Sequence, residues 1–450
     1  MAGNTRWGPY TSMKALEQRG PLVISRADGV YVWDEGGRRY LDAHAGLWLA
    51  NVGYGRQEII EAMHRQASEL AWFSSFGGFA NRPSLDLADR LVDLLRPDAM
   101  GAVFLSGSGS EAVETSLKLA RQYWKVQGHA RKVKFIGREQ AYHGVTLGAL
   151  SVSGIPANRT AFEPLLPEVR HVPAPLRHAC RFHAADAACT LACAEELERT
   201  IVFEGPETVA AFIAEPVQAA GGVIVPPPEY LSTVAEICRR YEVLLITDEV
   251  VTGFGRLGCW TGARHYAVRP DMMAFAKGLT SGYFPMGATA VRGEILDTVR
   301  DSAGAGTRPE FLHGNTYSGH PIGAAAALAN LAIIEQERLP ERAAKMGRHL
   351  RKQLAALQSA YPAWIQDVDS EGLLGRIALK TPPDAQDAGS AGQRAVDHMR
   401  EHSGVIARSV GSVLTLSPAL TVAPDEIDAI VTAAGDAIAA VCRFGDASGS

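Results

Sequence analysis

Short, unbroken apolar runs punctuate the first two thirds of the chain, at Ala102–Leu105, Val133–Ile136, Val209–Ala214, Val243–Ile246 and Met272–Ala276. A strand covered on both faces has no polar side to alternate with, so these runs predict buried strands of a mainly parallel sheet. After the first run, Val113, Leu117, Ala120 and Trp124 recur at helical spacing until Gly128. That predicts an amphipathic helix. A second helix is predicted from about Glu229 to Tyr241. Strands and helices alternating in this way predict an α/β fold whose ligands gather at the C-terminal strand ends. From Ala324 to Leu354 the composition turns to Ala, Leu, Glu, Arg and Lys, which predicts one or two long helices. Thr381–Gly392, rich in Pro, Ala, Asp and Gly, reads as a surface loop in a smaller C-terminal α/β unit.

Composition narrows the function. A chain of 450 residues exceeds one ordinary core. Its net charge of −5 and lack of a Lys/Arg run give no surface for nucleic acid or anionic membrane, so small molecules are the expected partners. The first twenty residues lack a signal-peptide apolar stretch, and no run reaches membrane-spanning length. Cys180, Cys189, Cys193, Cys238, Cys259 and Cys442 are irregularly spaced, as expected of free thiols in the cytoplasm. His178, Cys180, His183, Cys189 and Cys193 cluster in sequence, yet no Cys-x-x-Cys pair is present and no metal is expected.

Three features carry chemistry. Ser106-Gly107-Ser108-Gly109-Ser110-Glu111-Ala112 lies between the first strand and its helix. Helix-start amides and serine hydroxyls suit a phosphate, although a serine-capped turn gives the same pattern without a ligand. The absence of a Lys-Ser/Thr ending argues against a nucleotide P-loop. Leu244–Ile246 delivers Asp248 and Glu249 to a strand end. A carboxylate there either caps the loop or keeps a heterocyclic nitrogen protonated. Ala274-Phe275-Ala276-Lys277-Gly278 ends an apolar run on one lysine, placed as a desolvated amine able to form a Schiff base. Phosphate loop, aspartate and lysine together are the three grips of a pyridoxal 5′-phosphate (PLP) site.

With these in view, the sequence resembles the class III aminotransferases, fold type I PLP enzymes that include the ω-amino acid:pyruvate transaminases. The matching pieces run in order: Ala45–Trp48 with Asn51–Gly55, the Ser-Gly-Ser-Glu-Ala loop, Tyr142-His143-Gly144, Glu215-Pro216, Asp248-Glu249-Val250 with Gly253–Arg256, Lys277, and His313–Pro321. The resemblance implies a large PLP-binding domain over residues 61–323, flanked by a small α/β domain built from residues 1–60 and 324–450. It also implies that Lys277 carries the cofactor and shuttles the proton, and that Asp248 pairs with the pyridine nitrogen. Val250 and Tyr142 would sandwich the ring. Ser108, Gly109 and Ser110 would take the phosphate, with Thr316 reaching across a homodimer, a tetramer being the larger alternative. Glu215 and His143 would support the ring.

Trp48, Phe76, Tyr142 and Arg408 fall on positions that line the substrate pockets, and Gly404–Val410 resembles the stretch carrying a carboxylate-clamping arginine. The implied activity is transfer of an amino group from an amine or ω-amino acid to a 2-oxo acid, with pyruvate expected. Ser417-Pro418-Ala419-Leu420 departs from the usual Ser-Pro-Pro-Leu, which leaves the donor open. A decarboxylase or aminomutase on the same fold is the alternative chemistry.

Overall fold

The structure is a computed structural model that describes residues 6–177, 180–182, 189–302, 310–380 and 388–446. At its centre lies a seven-stranded sheet. Its strands run, edge to edge, Met100–Ser106, Gly287–Arg292, Met272–Phe275, Leu244–Asp248, Val209–Ala214, Lys134–Arg138 and Val169–Val172. Gly287–Arg292 is antiparallel to both neighbours, and the remaining pairs are parallel. The mixed α/β class is as the apolar runs predict, and all five runs fall on strands. Val209–Ala214 is buried at every position, which explains why it shows no alternation. Two strands escape that rule. Val169–Val172 is an edge strand holding Arg170 and His171, and Gly287–Arg292 is built of small residues and Thr289, whose hydroxyl donates to Ala112 O at 2.8 Å.

The helix after the first strand spans Gly109–Val126, starting where the Ser108 side chain accepts from Glu111 N. Its Val113, Leu117, Ala120 and Trp124 are buried against the sheet, and Trp124 Nε1 donates to Ala210 O at 2.8 Å. The second predicted helix is Tyr230–Arg240. The Ala/Leu-rich segment forms Pro321–Gln336 and Leu339–Ala360, separated at Arg338, which has φ of +52°.

Two four-stranded sheets flank this body. In one, Ile24–Asp28, Tyr31–Asp34 and Arg39–Asp42 are joined by Val405–Ile406, so segments from both ends of the chain share a sheet. In the other, Ile365–Glu371, Leu374–Leu379 and Val413–Leu416 carry Arg408–Val410 at the edge. These pairings bring residues 45–51 and 408–410 to the strand ends of the central sheet.

The loop expected over Thr381–Gly392 needs correction. Residues 381–387 lie outside the described residues, but from Ala388 the chain is helical through His398. The reason is the helical spacing of Ala391, Ala395 and Met399, which pack on the core. His178 and His183 also lie outside the described residues. No helix among the described residues is long and apolar enough to cross a membrane.

Candidate active site

Parallel strands present their C-terminal ends on one edge, and three of the flagged motifs sit on that edge. Asp248 is the last residue of its strand, Lys277 follows the neighbouring strand, and Ser108–Ser110 follows Met100–Ser106. They surround a cavity of about 460 Å³, of ordinary size for a small-molecule site. A larger open cleft of 1410 Å³ between the N-terminal helix and residues 393–402 contains none of them.

At one end of the cavity the helix Gly109–Val126 points its N-terminus inward. Ser108 Oγ is engaged in capping, accepting from Glu111 N at 3.2 Å, and the Glu111 carboxylate accepts from Gly107 N at 2.6 Å. The amides of Gly109 and Ser110 make no intrachain hydrogen bond among the described residues. Such helix-start donors favour an anion. Close packing forbids side chains nearby. A Cβ on Gly144, which has φ of +143°, would meet Ser110 Oγ at 2.5 Å, and one on Gly109 would meet Val250 Cγ2 at 3.1 Å.

Beneath the middle of the cavity lies a chain of buried acids and their partners. Asp248 Oδ2 meets His143 Nδ1 at 2.8 Å, while Oδ1 accepts from Val250 N at 3.0 Å. The Glu215 carboxylate accepts from Tyr142 N at 3.0 Å and Ala219 N at 3.1 Å. Burial pushes the Glu215 carboxyl up to about 7, opposed by the nearby His143. The Arg138 guanidinium, fully buried, donates to the Glu215 backbone carbonyl. Tyr142 and Val250 both line the cavity above Asp248.

Lys277 has φ of +41°, a conformation that costs a long side chain roughly 1–3 kcal/mol and survives where the surroundings impose it. Burial holds its amine below the ordinary lysine range, against the pull of Asp248 and Glu215. Its Nζ lies 5.8 Å from the Trp48 ring centroid, and the Arg408 guanidinium carbon lies 5.2 Å from the same ring. Trp48 is itself buried, with φ of +59°, and stacks edge-on to His44. Arg408 has neither a side-chain hydrogen bond nor a carboxylate partner among the described residues. A half-buried cation so placed is a ready partner for a carboxylate entering the cavity.

The structure thus gathers Trp48, Ser108, Gly109, Ser110, Tyr142, His143, Glu215, Asp248, Val250, Lys277 and Arg408 around one cavity. It does not bring Phe76 or Thr316 there. Phe76 is 52% exposed and packs on the loop that carries Thr316: a Cβ on Gly314 would meet its ring at 2.8 Å, and Ser75 Oγ donates to Ser318 O at 3.0 Å. Phe76, expected on a substrate pocket, stands beside the loop that carries Thr316 and outside the cavity formed by this chain. Its turn, Phe76–Gly78, is tied to the 313–319 loop and not to the strand ends.

Sequence reasoning also missed residues. Tyr10, near the N-terminus, lines the cavity, and with burial it helps raise the Tyr142 phenol. Leu47, Ile155, Asn158, Ala220, Val251 and Val410 form most of the remaining wall. Each comes from a loop, a sheet edge or a helix of a single turn, with no periodic signal. Only adjacency to Trp48, Val250 and Arg408 could have pointed to Leu47, Val251 and Val410.

Comparison with known proteins agrees with this geometry. Residues 13–438 match the family model described as Aminotransferase class-III. The putrescine–pyruvate aminotransferase of Pseudomonas aeruginosa is 40% identical over 431 residues, covering 95% of this chain and 92% of that protein. An amine transaminase from an uncultivated Pseudomonas species, solved with PLP bound, superposes with a TM-score of 0.93 at 40% identity, covering 97% of this chain and 99% of that one. A thermostable (S)-enantioselective ω-transaminase from Thermomicrobium roseum gives a TM-score of 0.89 at 39% identity, with 96% of each chain covered. The chain belongs to the class III aminotransferases and is a PLP-dependent enzyme of that family.

Proposed function

We propose that the cavity takes an amino group from a primary amine or ω-amino acid and passes it to pyruvate, the two substrates using the same space in turn. The observation that carries this reading is the meeting at the Trp48 ring of a buried amine, Lys277, and the Arg408 guanidinium, which makes no hydrogen bond or ion pair among the described residues.

PLP fits the donors present. The free amides of Gly109 and Ser110, with Ser108 beside them, would hold the phosphate, joined by Thr316 of the partner subunit. Asp248, oriented by His143 and the Val250 amide, would hold the ring nitrogen protonated. Tyr142 and Val250 would flank the ring, and Glu215 would support it from below. When bound, the cofactor supplies an aldehyde that condenses with amines and an electron-withdrawing ring. Lys277 Nζ, its proton affinity lowered by burial, would take and return the substrate's carbon-bound proton. Arg408 would bind the pyruvate carboxylate with a two-pronged hydrogen bond and swing aside for a donor that has none.

The wall favours donors with an apolar body. Leu47, Ile155, Ala157, Val251 and Val410 are apolar, Asn158 and Tyr10 are neutral, and the carboxylates in the lining are Asp248 and Glu215. Among the described residues the lining offers a distal ammonium no carboxylate besides Asp248 and Glu215. Pyruvate as acceptor draws on the putrescine–pyruvate relative.

A homodimer is part of the proposal. Trp72, Phe73, Phe76, Phe79, Leu312 and Tyr317 are exposed on the segments 72–79 and 312–317 that flank Thr316, a grouping of apolar side chains that suits an interface with a second copy. We also read the chain as a large domain over 61–323 with a small one from 1–60 and 324–450, working in the cytoplasm, where the free thiols among the described residues stay reduced.

The test is a panel of 1-phenylethylamine, β-alanine and putrescine, each with pyruvate or 2-oxoglutarate, read by alanine and ketone formation. Alanine from the aryl amine and pyruvate is expected. Amine consumption independent of any 2-oxo acid would overturn the reading.

A further inference from the structure

Immediately after the strand Met272–Phe275 the chain reverses through one tight turn, Lys277–Leu279, whose first residue has φ of +41°. A left-handed backbone under a long side chain persists only where neighbours dictate it. Two asparagines from distant elements do so. Asn330, fully buried in the helix Pro321–Gln336, donates from Nδ2 to Gly278 O at 2.8 Å and to Leu279 O at 3.0 Å. Asn51 crowds the same turn: a Cβ on Gly278 would lie 2.5 Å from its Nδ2. Asn51 is held in turn by donating to Phe254 O at 3.0 Å and accepting from Arg256 at 2.7 Å.

The two N–H groups on one amide nitrogen meet two successive carbonyls, and Asn330 Oδ1 has no partner among the described residues. Only the donor end of this side chain is in use. We propose that Asn330 is a positioning residue for the transfer reaction: by holding the two carbonyls that follow Lys277, it fixes the turn that aims the Lys277 amine into the cavity. This rests on the reading of Lys277 as the cofactor-linked amine. Leucine in its place would leave both carbonyls without a donor, and aspartate, equal in shape, would face them with oxygen.

The experiment follows the rate at which PLP becomes linked to the cofactor-free protein, by absorbance, with borohydride trapping and peptide mapping of the lysine that carries it. Asn330→Leu and Asn330→Asp should slow linkage about tenfold or more, since misplacing a reacting group by an ångström costs up to roughly 10²-fold. Leu331→Ala, a buried neighbour on the same helix that is not bonded to the turn, should lower the melting temperature without slowing linkage. If Asn330→Asp does not fold, Asn330→Ser, which keeps a hydroxyl donor, carries the comparison with Asn330→Leu and should link faster. Trapping on another lysine would overturn the reading of Lys277. Trapping on Lys277 at wild-type rate in the Asn330 variants, or equal slowing in Leu331→Ala, would overturn the role of Asn330 alone.

Discussion

Removing the guanidinium of Arg408 separates the two halves of the proposed reaction. The side chain makes no hydrogen bond or ion pair within the described residues, and what it does touch is the Trp48 ring, 5.2 Å from its guanidinium carbon. Its loss should cost the fold only the cation–π contact, about 0.5–2 kcal/mol, and so a few degrees of melting temperature at most. The effect on a carboxylate substrate is different. A 2-oxo acid entering the cavity leaves water, and without Arg408 the lining offers its carboxylate no guanidinium, only the Lys277 amine beside Asp248 and Glu215. Removing one partner of such a buried pair costs roughly 2–5 kcal/mol, or thirtyfold and upward in rate. An amine lacking a carboxylate makes no such demand. In Arg408→Ala, single-turnover measurements should therefore give a loss of about thirtyfold or more with pyruvate and little change with 1-phenylethylamine. Equal losses in both half-reactions, or a large fall in melting temperature, would mean that Arg408 supports the structure of the site and does not bind the carboxylate.

Three further outcomes follow from the same geometry. Asp248→Asn keeps the shape but removes the charge that would hold the ring nitrogen protonated, so turnover should fall by at least about 10²-fold, on the scale of losing a preorganised electrostatic partner, while the protein still binds PLP by equilibrium dialysis. The Glu215 carboxyl is pushed by burial from 4.5 up to about 7, so the folded state holds that proton more tightly than the unfolded chain. Its stabilising contribution is then complete below about 4.5 and lost as pH rises through 7; melting curves of the cofactor-free protein should show this decline, and Glu215→Gln should flatten it. Mixing Thr316→Ala with Lys277→Ala chains should regenerate one intact site per mixed dimer if Thr316 serves the partner's phosphate, whereas mixed dimers without activity would return Thr316 to its own chain.

What could be read in the sequence was what consecutive residues encode. The phosphate loop, Asp248 and Lys277 each sit where an apolar strand ends, and strands in a parallel sheet end on one edge. Their convergence therefore follows from where the apolar runs end. Contacts set by topology left no such mark. Tyr10 reaches the cavity from a segment of unremarkable composition, and Asn330 lies in a helix whose apolar residues surround it on all sides. The exposure of Phe76 was equally hidden, because an aromatic on the surface and one in a core have the same local pattern. The loop expected at Thr381–Gly392 failed from residue 388 because composition outweighed the helical spacing of Ala391, Ala395 and Met399.

The central claim, that this protein moves nitrogen from an amine to a 2-oxo acid, is tested most directly by isotope. The purified enzyme with PLP, nitrogen-15-labelled 1-phenylethylamine and unlabelled pyruvate should yield alanine carrying the label, with acetophenone in equal amount, and Lys277→Ala should yield neither. Unlabelled alanine, ketone formed without pyruvate, or labelled alanine from the Lys277→Ala protein would contradict the account.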